Sequence, residues 1–166
     1  WRFCRTTSLP RATTWLWEQV RVKGGAYGAF CSLDPFTGLL QFTSYRDPRL
    51  LETLASFDGC GGFLRGLPLT DAELTRAIIG AIGDLDAHKL PDARGYAALV
   101  RQLTNVTDAY RQQVRDEVLG TRPEDFRALA ELLEAAAAAG RVVILGSAES
   151  AARIAADRPG WLATTR

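Results

Sequence analysis

The stretch best equipped for chemistry is Arg21-Val22-Lys23-Gly24-Gly25-Ala26-Tyr27-Gly28. Arg21 carries a planar guanidinium with five N–H donors in a fork that suits carbonyl or carboxylate oxygens. Tyr27 adds a phenolic O–H at the start of an expected strand. Between them, Gly24 and Gly25 remove side-chain bulk, so that another backbone can approach closely. Such a group could present donors to an extended peptide. A plainer reading fits the same residues: a glycine-rich turn with a solvated arginine and a core tyrosine.

Other chemistries find less support. A catalytic zinc needs three protein ligands and a structural zinc four. The chain has a single histidine, His88, with no second histidine or cysteine close in sequence. Asp84, Asp86 and Asp92 could add oxygens, but acidic residues around a helix end usually form a solvated rim, so no metal ligand is expected. Ser147 follows Gly146 at an expected strand-to-helix turn, yet the G-x-S-x-G pattern is absent and helix capping explains the serine better. Gly59-Cys60-Gly61-Gly62 follows a helical pattern and Gly24 precedes a strand. A dinucleotide fingerprint must follow a strand and open a helix, so neither glycine cluster is one.

The elements that must position these residues belong to an ordinary globular chain. Its 166 residues suit one domain or part of a larger one, and 47% hydrophobic with 23% charged residues excludes a disordered tail. A net charge of +1, with dispersed basic residues, argues against nucleic acid as a partner. No apolar run approaches the ~18–20 residues of a membrane span. There is no methionine and the chain opens with Trp1, so a fragment or processed piece is expected. Cys4, Cys31 and Cys60 form no C-x-x-C pair and read as free thiols in a reducing compartment.

Residues 1–10 show no period and read as irregular. Thr13 to Val20 suits a short helix that stops before Gly24. Ala26–Leu33 and Leu39–Tyr45 read as strands joined by the turn Asp34-Pro35-Phe36-Thr37-Gly38, an antiparallel hairpin with Leu40 and Phe42 on one face and Gln41 and Thr43 on the other. Leu50, Leu51, Leu54 and Phe57 mark a helix that the glycines 59, 61 and 62 should bend. Thr70 to Glu73 is a capping box ahead of the stripe Leu74, Ile78, Ile82 and Leu85. His88 to Pro91 breaks that helix. Tyr96, Leu99, Val100 and Leu103 mark the next, and Tyr110, Val114 and Val118 another. Thr121-Arg122-Pro123-Glu124 reads as a second capping box, followed by Phe126, Leu129, Leu133 and an alanine run closed by Gly140. Arg141 to Gly146 reads as a short buried strand, and Ser147 as the cap of a last helix to about Ala156, stopped by Pro159-Gly160. The class is α+β: an antiparallel sheet packed against several helices. Two or three strands are too few for a stable sheet alone, so further strands are expected upstream.

The segment TTWLWEQVRVKGGAYGAFCSLDPFTGLLQFTSYRDPRLLETL resembles the C-terminal half of the presequence-protease branch of the pitrilysin/insulinase zinc metallopeptidases. The resemblance continues through LTDAELTRAIIGAIGDLDAHKLPDARGY, TRPEDFRALAELLE and RVVILGSAES to RPGWL. It covers roughly residues 12–166; residues 1–11 read as a divergent end. R-x-x-G-G-A-Y-G is its most specific part. The resemblance implies a metallopeptidase-type α/β roll, in which two homologous halves enclose a chamber. An N-terminal half binds zinc through H-x-x-E-H, and the C-terminal half lends an arginine and a tyrosine, here Arg21 and Tyr27. Tyr27 would be the catalytic oxyanion donor; Arg21, Gly24 and Gly25 would bind substrate. H-x-x-E-H is absent from this chain, so zinc would sit on the other half and the chain alone should be inactive. The implied partners are that half and peptide substrates, with no nucleic acid and no membrane. The implied location is a bacterial cytoplasm or, in a eukaryote, the mitochondrial or plastid matrix. A non-catalytic scaffold or a peptide-binding module of the same fold is the alternative.

Overall fold

A computed structural model of the chain describes residues 14–34 and 37–161. The readings for residues 1–11, Cys4, Thr13 and Pro35-Phe36 fall outside them. Residues 14–16 are α-helical and run into a π-helix, Trp17–Lys23. Two strands follow, β1 (Gly28–Leu33) and β2 (Leu40–Tyr45). Seven helices follow among the described residues: α1 (Leu50–Asp58), α2 (Cys60–Arg65), α3 (Asp71–Leu85), α4 (Pro91–Leu103), α5 (Asp108–Leu119), α6 (Pro123–Ala139) and α7 (Ala148–Asp157). The fold is α+β, as its sequence pattern indicates.

The strands form the antiparallel hairpin, in register from Gly28 opposite Tyr45 to Leu33 opposite Leu40. Gly38, at φ +71°, donates its N–H to Asp34 O at 2.8 Å, and Thr37 Oγ1 donates to Asp34 Oδ2 at 2.8 Å. A left-handed φ is where glycine costs least. Side chains alternate across a strand, so Ala29, Cys31 and Leu33 point into the core with Leu40 and Phe42 packed beside them. Gln41, Thr43 and Tyr45 are exposed on the other face.

Leu16 and Val20 drive the first helix into the same core, at 0% and 1% exposure. Trp15 braces it by donating Nε1–H to Ser56 O at 3.0 Å and by stacking on Phe63 at 4.7 Å between ring centroids. Cys60 and Leu64 of α2 meet Phe126, Leu129, Ala130 and Leu133 of α6. A Cβ on Gly61 would lie 2.6 Å from Glu134 Cγ and 2.8 Å from Ala130 O, so only glycine allows α2 and α6 this close. The expected bend at the glycines appears at Gly59 as an interruption between α1 and α2. Cys31 and Cys60 are both buried.

Helix α3 starts at the expected capping box: Thr70 Oγ1 accepts from Glu73 N at 3.3 Å, and Glu73 Oε2 accepts from Thr70 N at 3.1 Å. Its Ala81 is buried, and α3 packs on α5, which buries Val114 and Val118. An Asp86–Arg115 ion pair spans the two helices. Ser147 caps α7, accepting from Ser150 N at 3.2 Å.

Four readings need correction. The cap of α6 is Arg122, with Asp125 accepting its N–H at 2.8 Å. Thr121 is buried instead, and its hydroxyl is taken by the Glu117 carbonyl at the end of α5, 3.1 Å away. Gly140 ends α6 at φ −65°, an extended residue with no left-handed C′ turn; the Ala136 carbonyl, 2.8 Å from where its Cβ would be, is what requires glycine there. Residues 141–146 form no strand: they are irregular, with Val143 93% and Leu145 102% exposed. A strand exists only through hydrogen bonds to a neighbour, and the described sheet is two-stranded, β1 with β2. Finally, Tyr27 is no core residue, being 65% exposed.

Candidate functional site

The π-helix sets the geometry of the site. Leu16 just before it and Val20 within it point inward, which sets Trp17 and Arg21 one position further round, Trp17 exposed and Arg21 half-buried. Runs of i→i+5 helix are rare and concentrate at functional positions. Here the π-helix ends in a tight link. Arg21 O accepts from both Gly24 N and Gly25 N, the latter at 2.9 Å, and Val20 O accepts from Ala26 N at 3.1 Å. A Cβ on Gly24 would lie 2.4 Å from Val20 O, so the closing backbone leaves that residue no side-chain space. Gly25 lies at φ +81°, the left-handed region that disfavours a Cβ.

The link delivers the chain to the sheet. Ala26 is buried and anchors it, and Tyr27 N donates to Tyr45 O at 3.0 Å, extending the hairpin ladder by one bond. Tyr27 therefore stands just outside β1 with its ring edge-on to Tyr45, 5.8 Å between centroids. Arg46 lies over the Tyr45 ring at 5.4 Å. The Asp47-Pro48 corner closes against the link, with Pro48 Cγ 3.6 Å from the Gly25 Cβ position.

All four residues expected to act together, Arg21, Gly24, Gly25 and Tyr27, thus fall within one folded link. Arg21 has its guanidinium carbon 3.8 Å from the centre of the Trp17 ring, and among the described residues it joins no ion pair. Tyr27 exposes a phenol beside a second phenol. The arrangement can donate hydrogen bonds from two well-supported side chains into solvent-accessible space. Sequence reasoning overlooked Trp17, Tyr45 and Arg46. The i, i+4 spacing of Trp17 and Arg21 was available as a signal.

The other candidates scatter. His88 is exposed between α3 and α4. Ser147 is committed to its cap. Gly61 is packed against α6, which leaves no phosphate cradle at Gly59-Cys60-Gly61-Gly62. Among the described residues no group of three or more His, Cys, Asp or Glu could hold a metal ion. No helix among them is long and apolar enough to cross a membrane.

Comparison with known proteins meets this geometry. The family model of the PreP C-terminal domain matches residues 6–148. The chain is similar to presequence protease 1, chloroplastic/mitochondrial, of Arabidopsis thaliana: 50% identical over 138 residues, 83% of this chain and 13% of the relative. It is 33% identical to the mitochondrial presequence protease of Emericella nidulans over 147 residues, 89% of this chain and 13% of the relative. It is 31% identical to protein HypA of Clostridium perfringens over 135 residues, 81% of this chain and 14% of the relative. The chain therefore spans about one seventh of these relatives' length. The match runs through the π-helix, the glycine link, the hairpin and the helices to the start of α7, and on it the chain belongs to the PreP C-terminal domain family.

Proposed function

We propose that this chain is the C-terminal, non-metal part of a zinc metalloendopeptidase that degrades peptides inside a closed chamber. The observation that carries this reading is the donor pair held on one glycine link: exposed Tyr27, and half-buried Arg21 with no ion-pair partner among the described residues. Relatives named presequence protease supply the peptidase class. The zinc would belong to an N-terminal half outside this chain, because the described residues do not assemble a ligand set.

In this role the two donors act differently. Arg21 holds a substrate carbonyl next to the scissile bond through its in-plane N–H groups. Tyr27 O–H donates to the oxyanion that forms on the attacked carbonyl, a contact worth most in the transition state. Gly24 and Gly25 let the link close tightly beside the two donors, and since both N–H groups are spent on Arg21 O, what they offer substrate is carbonyl oxygens. The location we infer follows the names of the eukaryotic relatives, a mitochondrial or plastid matrix, with the cytoplasm for a bacterial source.

Kinetics on a fluorogenic peptide test the reading in the full-length protein. Arg21→Ala should raise KM and also lower kcat, and Arg21→Lys should rescue poorly, because a point charge does not reproduce the planar fork. This chain by itself should neither cleave peptides nor retain zinc. Wild-type kinetics for Arg21→Ala, or chelator-sensitive cleavage by the isolated chain, would contradict the proposal.

A further inference from the structure

We propose that Trp17 is a positioning residue for Arg21: its indole holds the guanidinium in the orientation that meets substrate. The inference rests on the reading of Arg21 as a substrate-carbonyl donor. It starts from the 3.8 Å approach of the Arg21 guanidinium carbon to the Trp17 ring centre. Both residues lie on the π-helix, four positions apart. Leu16 and Val20, their immediate neighbours in sequence, are 0% and 1% exposed, so the helix cannot rotate to carry the pair elsewhere.

Stacking suits this task better than an ion pair would. A guanidinium is planar and weakly hydrated, and it lies face-on to aromatic rings. Its face is occupied while its N–H groups stay free around the edge. A carboxylate partner would consume those same donors, as happens for Arg65 with Glu134 and for Arg111 with Asp108. Arg21 has no carboxylate partner among the described residues, and the indole leaves its donors available. Ordering the side chain before substrate arrives also removes part of the rotamer entropy that binding would otherwise cost. Lys23, on the same helix, has no ring partner among the described residues and lacks a planar face to stack.

The experiment is a double-mutant cycle in the full-length protein, read by steady-state hydrolysis of one fluorogenic peptide. Trp17→Ala should raise KM and lower kcat/KM about two- to fivefold, the range of a partly exposed cation–π contact. Trp17→Phe, which keeps a ring face, should recover most of that loss. In an Arg21→Ala background, Trp17→Ala should change nothing further, because it has no guanidinium left to hold. Trp17 is 48% exposed, so amide exchange of the core helices should stay at wild-type rates in both variants. Wild-type KM for Trp17→Ala, equal loss with and without Arg21, or no recovery by phenylalanine would each overturn the positioning role while leaving Arg21's own role standing. If Arg21→Ala itself keeps wild-type kcat/KM, the reading of Arg21 falls, and the role of Trp17 falls with it.

Discussion

Two regions of this molecule depend on the same steric device and put it to opposite uses. At the contact of α2 with α6, Gly61 lets two helices approach until a Cβ would strike Ala130 O at 2.8 Å. In the link from the π-helix to β1, Gly24 lets the chain close until a Cβ would strike Val20 O at 2.4 Å. The first contact is surrounded by buried Cys60, Leu64, Ala130 and Leu133, and its product is core packing. The second is flanked by Arg21, half-buried under its stack, and by exposed Tyr27. Its product is two donors aimed away from the core. A glycine that admits close backbone approach therefore says nothing of function by itself; the exposure and chemistry of its flanks decide.

That contrast can be broken by substitution. Gly61→Ala should be the more damaging change, by about 1–3 kcal/mol, because Glu134 can swing aside while the Ala130 carbonyl cannot. Hydrogen exchange in the full-length protein should show faster amides across α2 and α6 together. Gly25→Ala should cost about 1–2 kcal/mol, since alanine must take a left-handed φ there. Its loss should be confined to amides of the link at 21–27, accompanied by a fall in kcat/KM. Matching exchange patterns for the two variants would erase the distinction between a packing glycine and a presenting one. Lys23→Ala is the smallest change: an exposed cation outside the donor pair should alter kcat/KM less than about threefold, ~0.65 kcal/mol.

Much of this arrangement was legible in the residues. Local signals read well because they are settled locally: the hairpin's alternation, the Thr70–Glu73 box that caps α3, and the Ser147 cap of α7. The four candidate residues stand together because one short link contains them; their shared role is the proposal made above. What failed depended on neighbours distant in sequence. Val142, Val143, Ile144 and Leu145 have strand composition, but a strand is a relation between two segments, and residues 141–146 stay irregular. The stripe Tyr96, Leu99, Val100 and Leu103 correctly marks α4 as a helix, yet that helix buries no residue at all, and Tyr96 and Leu103 are 71% and 76% exposed. Periodicity tells which face would be buried and not whether anything covers it. The π-helical winding of Trp17–Lys23 has no sequence signature that alternation or capping rules detect, and the i, i+4 spacing of Trp17 and Arg21 is the one sequence signal of their stack.

The central claim is that the exposed phenol of Tyr27 serves the chemical step. Tyr27→Phe tests it most directly, because it deletes one O–H and leaves the ring against Tyr45 in place. Steady-state hydrolysis of a fluorogenic peptide by the full-length protein should show kcat falling about 10²–10³-fold with KM nearly unchanged, the pattern of a contact made mainly in the transition state. Hydrogen exchange over the hairpin should match wild type, which separates lost chemistry from lost structure. A wild-type kcat for Tyr27→Phe would contradict the claim, leaving Tyr27 an exposed aromatic at a strand end and no oxyanion donor.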